Sequence, residues 1–444
     1  MYFNSLKKSR LKKLITDLLT GIMVLAICTG TPTTAFAKEK LLQKGAKENS
    51  EITKEYLTEF GSVEKPGGVA ITKELQIPKG TKIPTASFTY KFDKIEVDED
   101  TSKEALDSMP KLAGGISVNE NSESTQEEDI VIVRKNTGNL LKDKAWPHAG
   151  QYVYRVTETF DNNTIDDSKK EVYEHSKAEY VLYVYIAEAE KGEGLYVKAV
   201  AAIIDKNDKG KYGTDKGTKV DLTVPKEETD GNNFKFVSKY ISTPGAKEAP
   251  DPKKQSVAVS KVVSGDLASK TKYFPFEITI KENPLMTIGS HKAYICTLGD
   301  GTYTKVTKEE AGNQYDKDKD FVTFKSGVKK DISLKHGQYL VFMDSPQGSI
   351  CTVSEKAVPG YKAELKMHIG GKESNEKNPI TNTVLGGKIL ISEGGPNSAA
   401  FTNIYASNIN TGIIIDNLPF ITMILIAIGA FTVYIINKGR KRAS

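Results

Sequence analysis

The sequence predicts an all-β body of two tandem β-sandwich domains, with a signal peptide before them and a transmembrane helix after them. Three observations carry this expectation. The middle of the 444-residue chain is built of short alternating runs rich in Tyr, Val, Ile and Thr, punctuated by turns. A segment rich in Pro, Gly and charge divides that middle into two halves. The two ends differ from the rest in composition and read as export and membrane signals.

Met1–Ala37 carries Lys7, Lys8, Arg10, Lys12 and Lys13, then the apolar run Ile22 to Ile27, then Ala35-Phe36-Ala37. That order is a secretory signal with cleavage after Ala37. At the other end, Leu418 to Ile436 is uncharged and mostly apolar, long enough to cross a bilayer as a helix. Lys438, Arg440, Lys441 and Arg442 follow it, which places the last residues in the cytoplasm. With Asp17 and Asp416 counted, these ends contribute +4 and +3, and subtracting them from the formal +5 leaves −2 for Lys38–Thr411. The basicity belongs to the export and anchor segments, so nucleic acid is not an expected partner.

Between the ends, residues 38–65 form a charged leader, helical or disordered. A first domain is expected over 66–245, a linker over 246–254 and a second domain over 255–406, with the sorting and anchor region over 407–444. Expected strands include Ser87–Phe92, Gln151–Thr157, Tyr180–Ile186 and Leu195–Ile204 in the first half. In the second they include Phe276–Ile280, Ala293–Thr297 and Ser349–Ser354. Cys28 leaves with the signal. Cys296 and Cys351 can pair in an exported chain, but two cysteines make no disulfide framework.

The informative positions are those where alternation places a polar residue on a core face. Lys261 shares a face with Val257, Val259 and Val263, Glu355 with Cys351 and Val353, and Asn403 with Phe401 and Tyr405. The first half repeats the order: Lys73 alternates with Val69, Ile71 and Leu75, and Glu158 with Tyr152, Tyr154 and Val156. Its closing strand, Phe236-Val237-Ser238-Lys239-Tyr240, keeps the aromatic frame but has Ser238 where the second half has Asn403.

Isolated buried charges are costly, so these groups must be neutral, paired or consumed by a reaction. Burial disfavours both charged forms, leaving a nucleophilic amine and a protonated carboxyl. Such a carboxyl can polarise a carboxamide and relay a proton. Held in contact, the amine can displace ammonia and leave a Lys–Asn isopeptide bond, with proximity supplying most of the drive. A snorkelling Lys, a salt-bridged Glu and a turn Asn are the ordinary alternative for any one residue. Three on core faces, in a frame repeated in both halves, favour the chemistry.

These motifs resemble those of the streptococcal-type pilin isopeptide linkage domain. The resemblance rests on Val259-Ser260-Lys261, on Cys351 through Glu355 and on Phe401 through Tyr405. It also rests on Ile71-Thr72-Lys73 and on the stretch from Trp146 through Glu158. It covers roughly residues 66 to 406 and implies two stacked immunoglobulin-like domains in the shaft subunit of a Gram-positive pilus. By the same resemblance Lys261 and Asn403 would be joined, with Glu355 as the catalytic proton shuttle. Lys73, Glu158 and Ser238 would be the first-half set, although Ser238 offers no carboxamide.

Asn408 through Gly412, then the apolar helix, then the basic tail resemble a cell-wall sorting signal. In that family a sortase cuts between Thr and Gly, here Thr411 and Gly412, and passes the Thr carbonyl to an amine. The implied partners are a sortase, other pilin subunits, peptidoglycan and host surface ligands, with the membrane holding the precursor. Leu222 through Glu227 resembles a pilin Pro-Lys motif, making Lys226 a candidate acceptor lysine, with Lys235 the other. The expected location is the wall-anchored cell surface or a pilus. A monomeric wall-anchored adhesin and an unprocessed single-pass surface protein are the alternatives.

Other chemistry finds little footing. The five histidines show no metal-ligand spacing, and Asp205 through Gly210 starts like a calcium loop but has Lys209 and Lys216 at ligand positions. No phosphate loop, nucleophile elbow or dinucleotide fingerprint occurs. No cofactor, no metal and no turnover of external substrates are expected.

Overall fold

The computed structural model describes residues 61–160, 171–190, 192, 194–243, 250–374, 379–381 and 384–405, with a few positions between 423 and 431. Residues 1–37, most of the leader, Thr411 and Gly412 lie outside them. Of the expected span 418–436, seven positions from Met423 to Phe431 are described, helical and exposed. Among the described residues no helix is long and apolar enough to cross a membrane.

The first half contains β1 (Thr72–Pro78), β2 (Ala86–Val97), β3 (Gly114–Val118), β4 (Thr125–Glu127), β5 (Ile130–Asn136) and β6 (Gly150–Phe160). These are followed by β7 (Val172–Glu174), β8 (Glu179–Glu188), β9 (Leu195–Lys206), β10 (Lys219–Val220) and β11 (Lys235–Ile241). One sheet runs β4-β5-β1-β11-β7 and the facing one β10-β9-β8-β6-β2-β3. Their inner faces enclose a single core that includes Ile71, Leu75, Phe88, Tyr154, Leu182 and Phe236. Alternation places these side chains inward along every strand, as the sequence requires.

The second half contains β12 (Val257–Ser264), β13 (Phe274–Lys281), β14 (Ser290–Gly299), β15 (Thr302–Lys305), β16 (Val322–Lys325), β17 (Lys330–Leu334) and β18 (Gln338–Phe342). It closes with β19 (Ile350–Lys356), β20 (Tyr361–Ile369), β21 (Lys372–Ser374), β22 (Pro379–Thr381), β23 (Val384–Leu390) and β24 (Ser398–Tyr405). One sheet runs β15-β14-β18-β12-β24-β20-β21, with β16 also on β14, and the other β17-β13-β19-β23-β22. The core between them includes Val259, Phe274, Phe276, Val353 and Phe401.

The chain is all-β, as expected, but neither half is wholly antiparallel. In each, the first and last strands are neighbours and run parallel: β1 with β11 and β12 with β24. A parallel pair needs a long crossover. Here the rest of the domain is the crossover, which single-strand periodicity cannot reveal. Two short helices also escape the sequence reading. They are α1 (Lys103–Ser108), capped by the Ser102 side chain accepting from Ala105 N, and α2 (Lys308–Ala311), capped by Thr307 accepting from Glu310 N. Each is too short to show a helical period.

The halves touch directly. Gln347 N donates to Ser242 O at 2.9 Å, and Glu393 N donates to Gly80 O at 2.8 Å. Lys82 N donates to the Glu393 carboxylate at 2.9 Å. Gly348 has φ of +80°, and a Cβ there would lie 2.4 Å from Pro78 Cβ, so this approach requires glycine. The end of the leader is irregular and follows β9, with Gly61 N donating to Lys198 O. Within the expected linker, Lys254 N donates to Asp251 O in a turn.

Candidate functional site

In the second half, β12 and β24 set the spacing of the site. Lys261 lies opposite Phe401, and Asn403 lies opposite Val263, two residues further along the parallel pair. Both side chains therefore leave the same sheet on its inner face. Glu355 comes from β19 in the facing sheet, where it is registered against Phe276. Lys261 is fully buried, Glu355 is 2% exposed and Asn403 1%.

The three meet at one carboxylate. Lys261 Nζ donates to Glu355 Oε1 at 2.9 Å and to Oε2 at 3.1 Å. Asn403 Nδ2 donates to the same Oε1 at 2.6 Å. The Phe274 ring lies 4.3 Å from Nζ and the Phe276 ring 5.9 Å, so apolar rings take the place of solvent. Burial pushes the Lys261 amine down to about 8, against the attraction of Glu355. Burial likewise holds the Glu355 carboxyl above the usual carboxylate range, against Lys261 and Asn403. The dry core thus shifts both groups toward their neutral forms.

Asn403 Oδ1 is buried with no hydrogen-bond partner. A carboxamide is nearly symmetric in shape, so its two ends can exchange by a half turn. Turned over, Oδ1 would receive the proton of a neutral Glu355. That contact would polarise the carbonyl carbon toward the amine.

The first half builds the same arrangement in the same register. Lys73 lies opposite Phe236 and Leu75 opposite Ser238, on parallel β1 and β11. Glu158 reaches across from β6. Lys73 Nζ donates to Glu158 Oε2 at 2.6 Å and to Ser238 Oγ at 2.5 Å. Ser238 Oγ in turn donates to Glu158 Oε1 at 3.2 Å, and the Phe88 ring lies 4.0 Å from Nζ. Burial lowers the Lys73 amine to about 8 and raises Glu158. The amine and acid are in place, but no carboxamide is.

Several supporting residues gave no local signal. Ser176 N donates to Ser238 Oγ at 3.1 Å, while Asp208 Oδ1 accepts from Ser176 Oγ and from Val237 N. Asp208 belongs to the run that starts like a calcium loop, and it braces β11 instead. Phe274 lies ahead of the expected strand Phe276–Ile280, in the part of β13 that the alternation did not reach. Asn232 is a structural residue: it bonds Thr72 Oγ1, Ala70 O, Thr223 O and Phe234 N.

The remaining expected positions stand apart from both clusters. Lys235 lies on β11 with Nζ 3.4 Å from Glu74, which also binds Arg134, while Lys226 is exposed in the preceding loop. Cys296 and Cys351 are free buried thiols, not a disulfide. The first belongs to a small outer cluster with Tyr303 and Met343, and the second to the main core. They come from different sheets, and Cys296 lies outside the core that holds Cys351. Among the described residues no group of three His, Cys, Asp or Glu could hold a metal ion.

Residues 255–405 match a family model described as a domain of unknown function, DUF7601. No curated protein matches the chain. Among solved structures it is similar to the major pilin of Streptococcus pyogenes, at 16% identity over 76% of this chain and 99% of that one, with a TM-score of 0.29. It is also similar to the T3.2 major pilin of the same organism, at 15% over 76% and 98%, TM-score 0.29. A pilus-presented adhesin (Cpa) aligns at 13% over 76% and 99%, TM-score 0.22. The geometry of Lys261, Glu355 and Asn403 stands independently of these likenesses.

Proposed function

We propose that this chain is a structural surface protein of a Gram-positive bacterium, a pilus shaft subunit locked by a Lys261–Asn403 isopeptide bond. The observation that carries the proposal is the buried meeting of Lys261 and Asn403 on one oxygen of Glu355. The reaction balances within these residues. The neutral Lys261 nitrogen attacks Asn403 Cγ while Glu355 gives its proton to Oδ1. Glu355 then takes a proton from the attacking nitrogen and passes it to the leaving amide nitrogen. As the C–N bond to that nitrogen breaks and ammonia departs, the Oδ1 proton returns to Glu355 and the carbonyl re-forms. The protein acts once, on itself, and no external substrate is turned over.

Export, anchoring and assembly are read from the ends of the sequence. A signal cleaved after Ala37 sends the body out, and the 418–436 helix with its basic tail holds the precursor. A sortase then cuts at Thr411-Gly412 and transfers the Thr411 carbonyl to a lysine of another subunit or to peptidoglycan. Cells carrying this protein and its sortase should show an SDS-resistant ladder of subunit multiples. Monomer alone on sortase-competent cells would defeat the shaft assignment and leave a singly anchored surface protein.

A further inference from the structure

The two halves carry the same dry constellation and differ at its third member. In each, a lysine of the first strand lies opposite a phenylalanine of the parallel last strand. The polar residue two positions further along meets the lysine–glutamate pair. In the second half that residue is Asn403, whose carboxamide carbon can be attacked. In the first it is Ser238, whose saturated Cβ offers no acyl carbon, even with its hydroxyl 2.5 Å from the amine. Lys73, Glu158 and Ser238 are therefore held by hydrogen bonds and charge alone.

We propose that the first half is the extensible unit of this chain, complete for crosslinking except for the acyl group, and that it unravels when tension enters ahead of β1 while the second half holds. This rests on the crosslink chemistry proposed above. β1 is the first strand of this half and β11 the last, and the pair is parallel over five registered positions. Pulling the start of β1 against the end of β11 shears those strands, with no covalent bond between them. Lys73 and Ser238 are 165 residues apart, so release lengthens the chain by about 550 Å at full extension. In the second half an amide between Lys261 and Asn403 would carry the same load directly and shield every residue between them. Load entering ahead of β1 crosses the yielding half, whereas load entering at Lys226 or Lys235 largely bypasses it.

Single-molecule pulling of the mature region 38–411 from its two ends tests this, combined with intact mass. The wild type should give one long extension of about 550 Å. Ser238→Asn should lose one more ammonia than the wild type and no longer extend. Glu158→Ala added to Ser238→Asn should restore both the mass and the extension. A wild type that never lengthens by that amount overturns the proposal, whether or not the variant folds. So does a Ser238→Asn protein that loses the extra ammonia and still extends. A second long event in the wild type, of about 470 Å, would defeat the second-half crosslink proposed above. The first-half event beside it would still support the extensible unit.

Discussion

Lys261 and Asn403 stand on adjacent parallel strands, two residues out of register, and both donate to Oε1 of Glu355. That relationship joins the first strand of a domain to its last through a single carboxylate from the facing sheet. It makes Glu355 the residue on which the proposed chemistry depends, since it hydrogen-bonds both reacting groups.

Glu355→Ala should accordingly leave the second half uncrosslinked. The amine would meet an unpolarised amide with no proton relay, and the variant's intact mass should equal that of its own sequence, without the ammonia loss of the wild type. The bond closes a loop spanning nearly the whole domain. Its loss should lower second-half stability by about 4–5 kcal/mol if loop entropy acts as it does for disulfides. Denaturant unfolding measures this directly. A variant still one ammonia short of its own sequence would remove Glu355 from the reaction.

The uncrosslinked first half should show a pH signature that the second lacks. Burial lowers the folded Lys73 amine to about 8 from an ordinary 10.5. Between those values the unfolded chain holds a proton that the folded one has released, so stability rises with pH there. The expected gain is about 2 kcal/mol from pH 8 to pH 9.5. Above pH 10 the buried Tyr180 and Tyr183, raised by burial, oppose it as unfolded tyrosines ionise. Glu158, also raised, acts on the acid side, where its contribution is lost as pH climbs from 4.5 through its folded value. Calorimetric scans of wild type against Lys73→Met should isolate the alkaline rise. Equal slopes in the two proteins would contradict it.

Cys296 and Cys351 should be unreactive in the native protein. Burial pushes both thiols up to about 12, which removes the thiolate at neutral pH, and neither is exposed. A thiol reagent should label neither in buffer and both in denaturant. Prompt native labelling would mean the sheets open far more often than their packing implies.

Strand alternation made much of this architecture readable. Lys261, Glu355 and Asn403 were legible because each interrupts an apolar face at a fixed period of two, and the first-half set followed by analogy of order. The parallel β1–β11 and β12–β24 pairs were not legible, because the contact spans an entire domain and leaves no local pattern. The bracing by Ser176 and Asp208 was hidden for the same reason. Asp208 lies in a charged turn that reads as solvated loop, and only tertiary closure brings it to β11. The cysteines were ambiguous in sequence, since neighbouring period-two faces do not say which sheet a strand joins.

Thr411 should be the last residue of the mature protein, joined through its carbonyl. Peptide mapping of wall-released material should end there, and peptides spanning Thr411-Gly412 should be confined to the membrane precursor. Recovery of such spanning peptides from most surface molecules would rule out sortase processing at this position.

The central claim is most directly tested by the intact mass of the recombinant region 38–411, followed by peptide mapping. The mass should fall short of the sequence by one ammonia, and digestion should yield one branched peptide linking Lys261 to Asn403. A mass equal to that of the sequence, with Lys261 and Asn403 recovered in separate peptides, would contradict it.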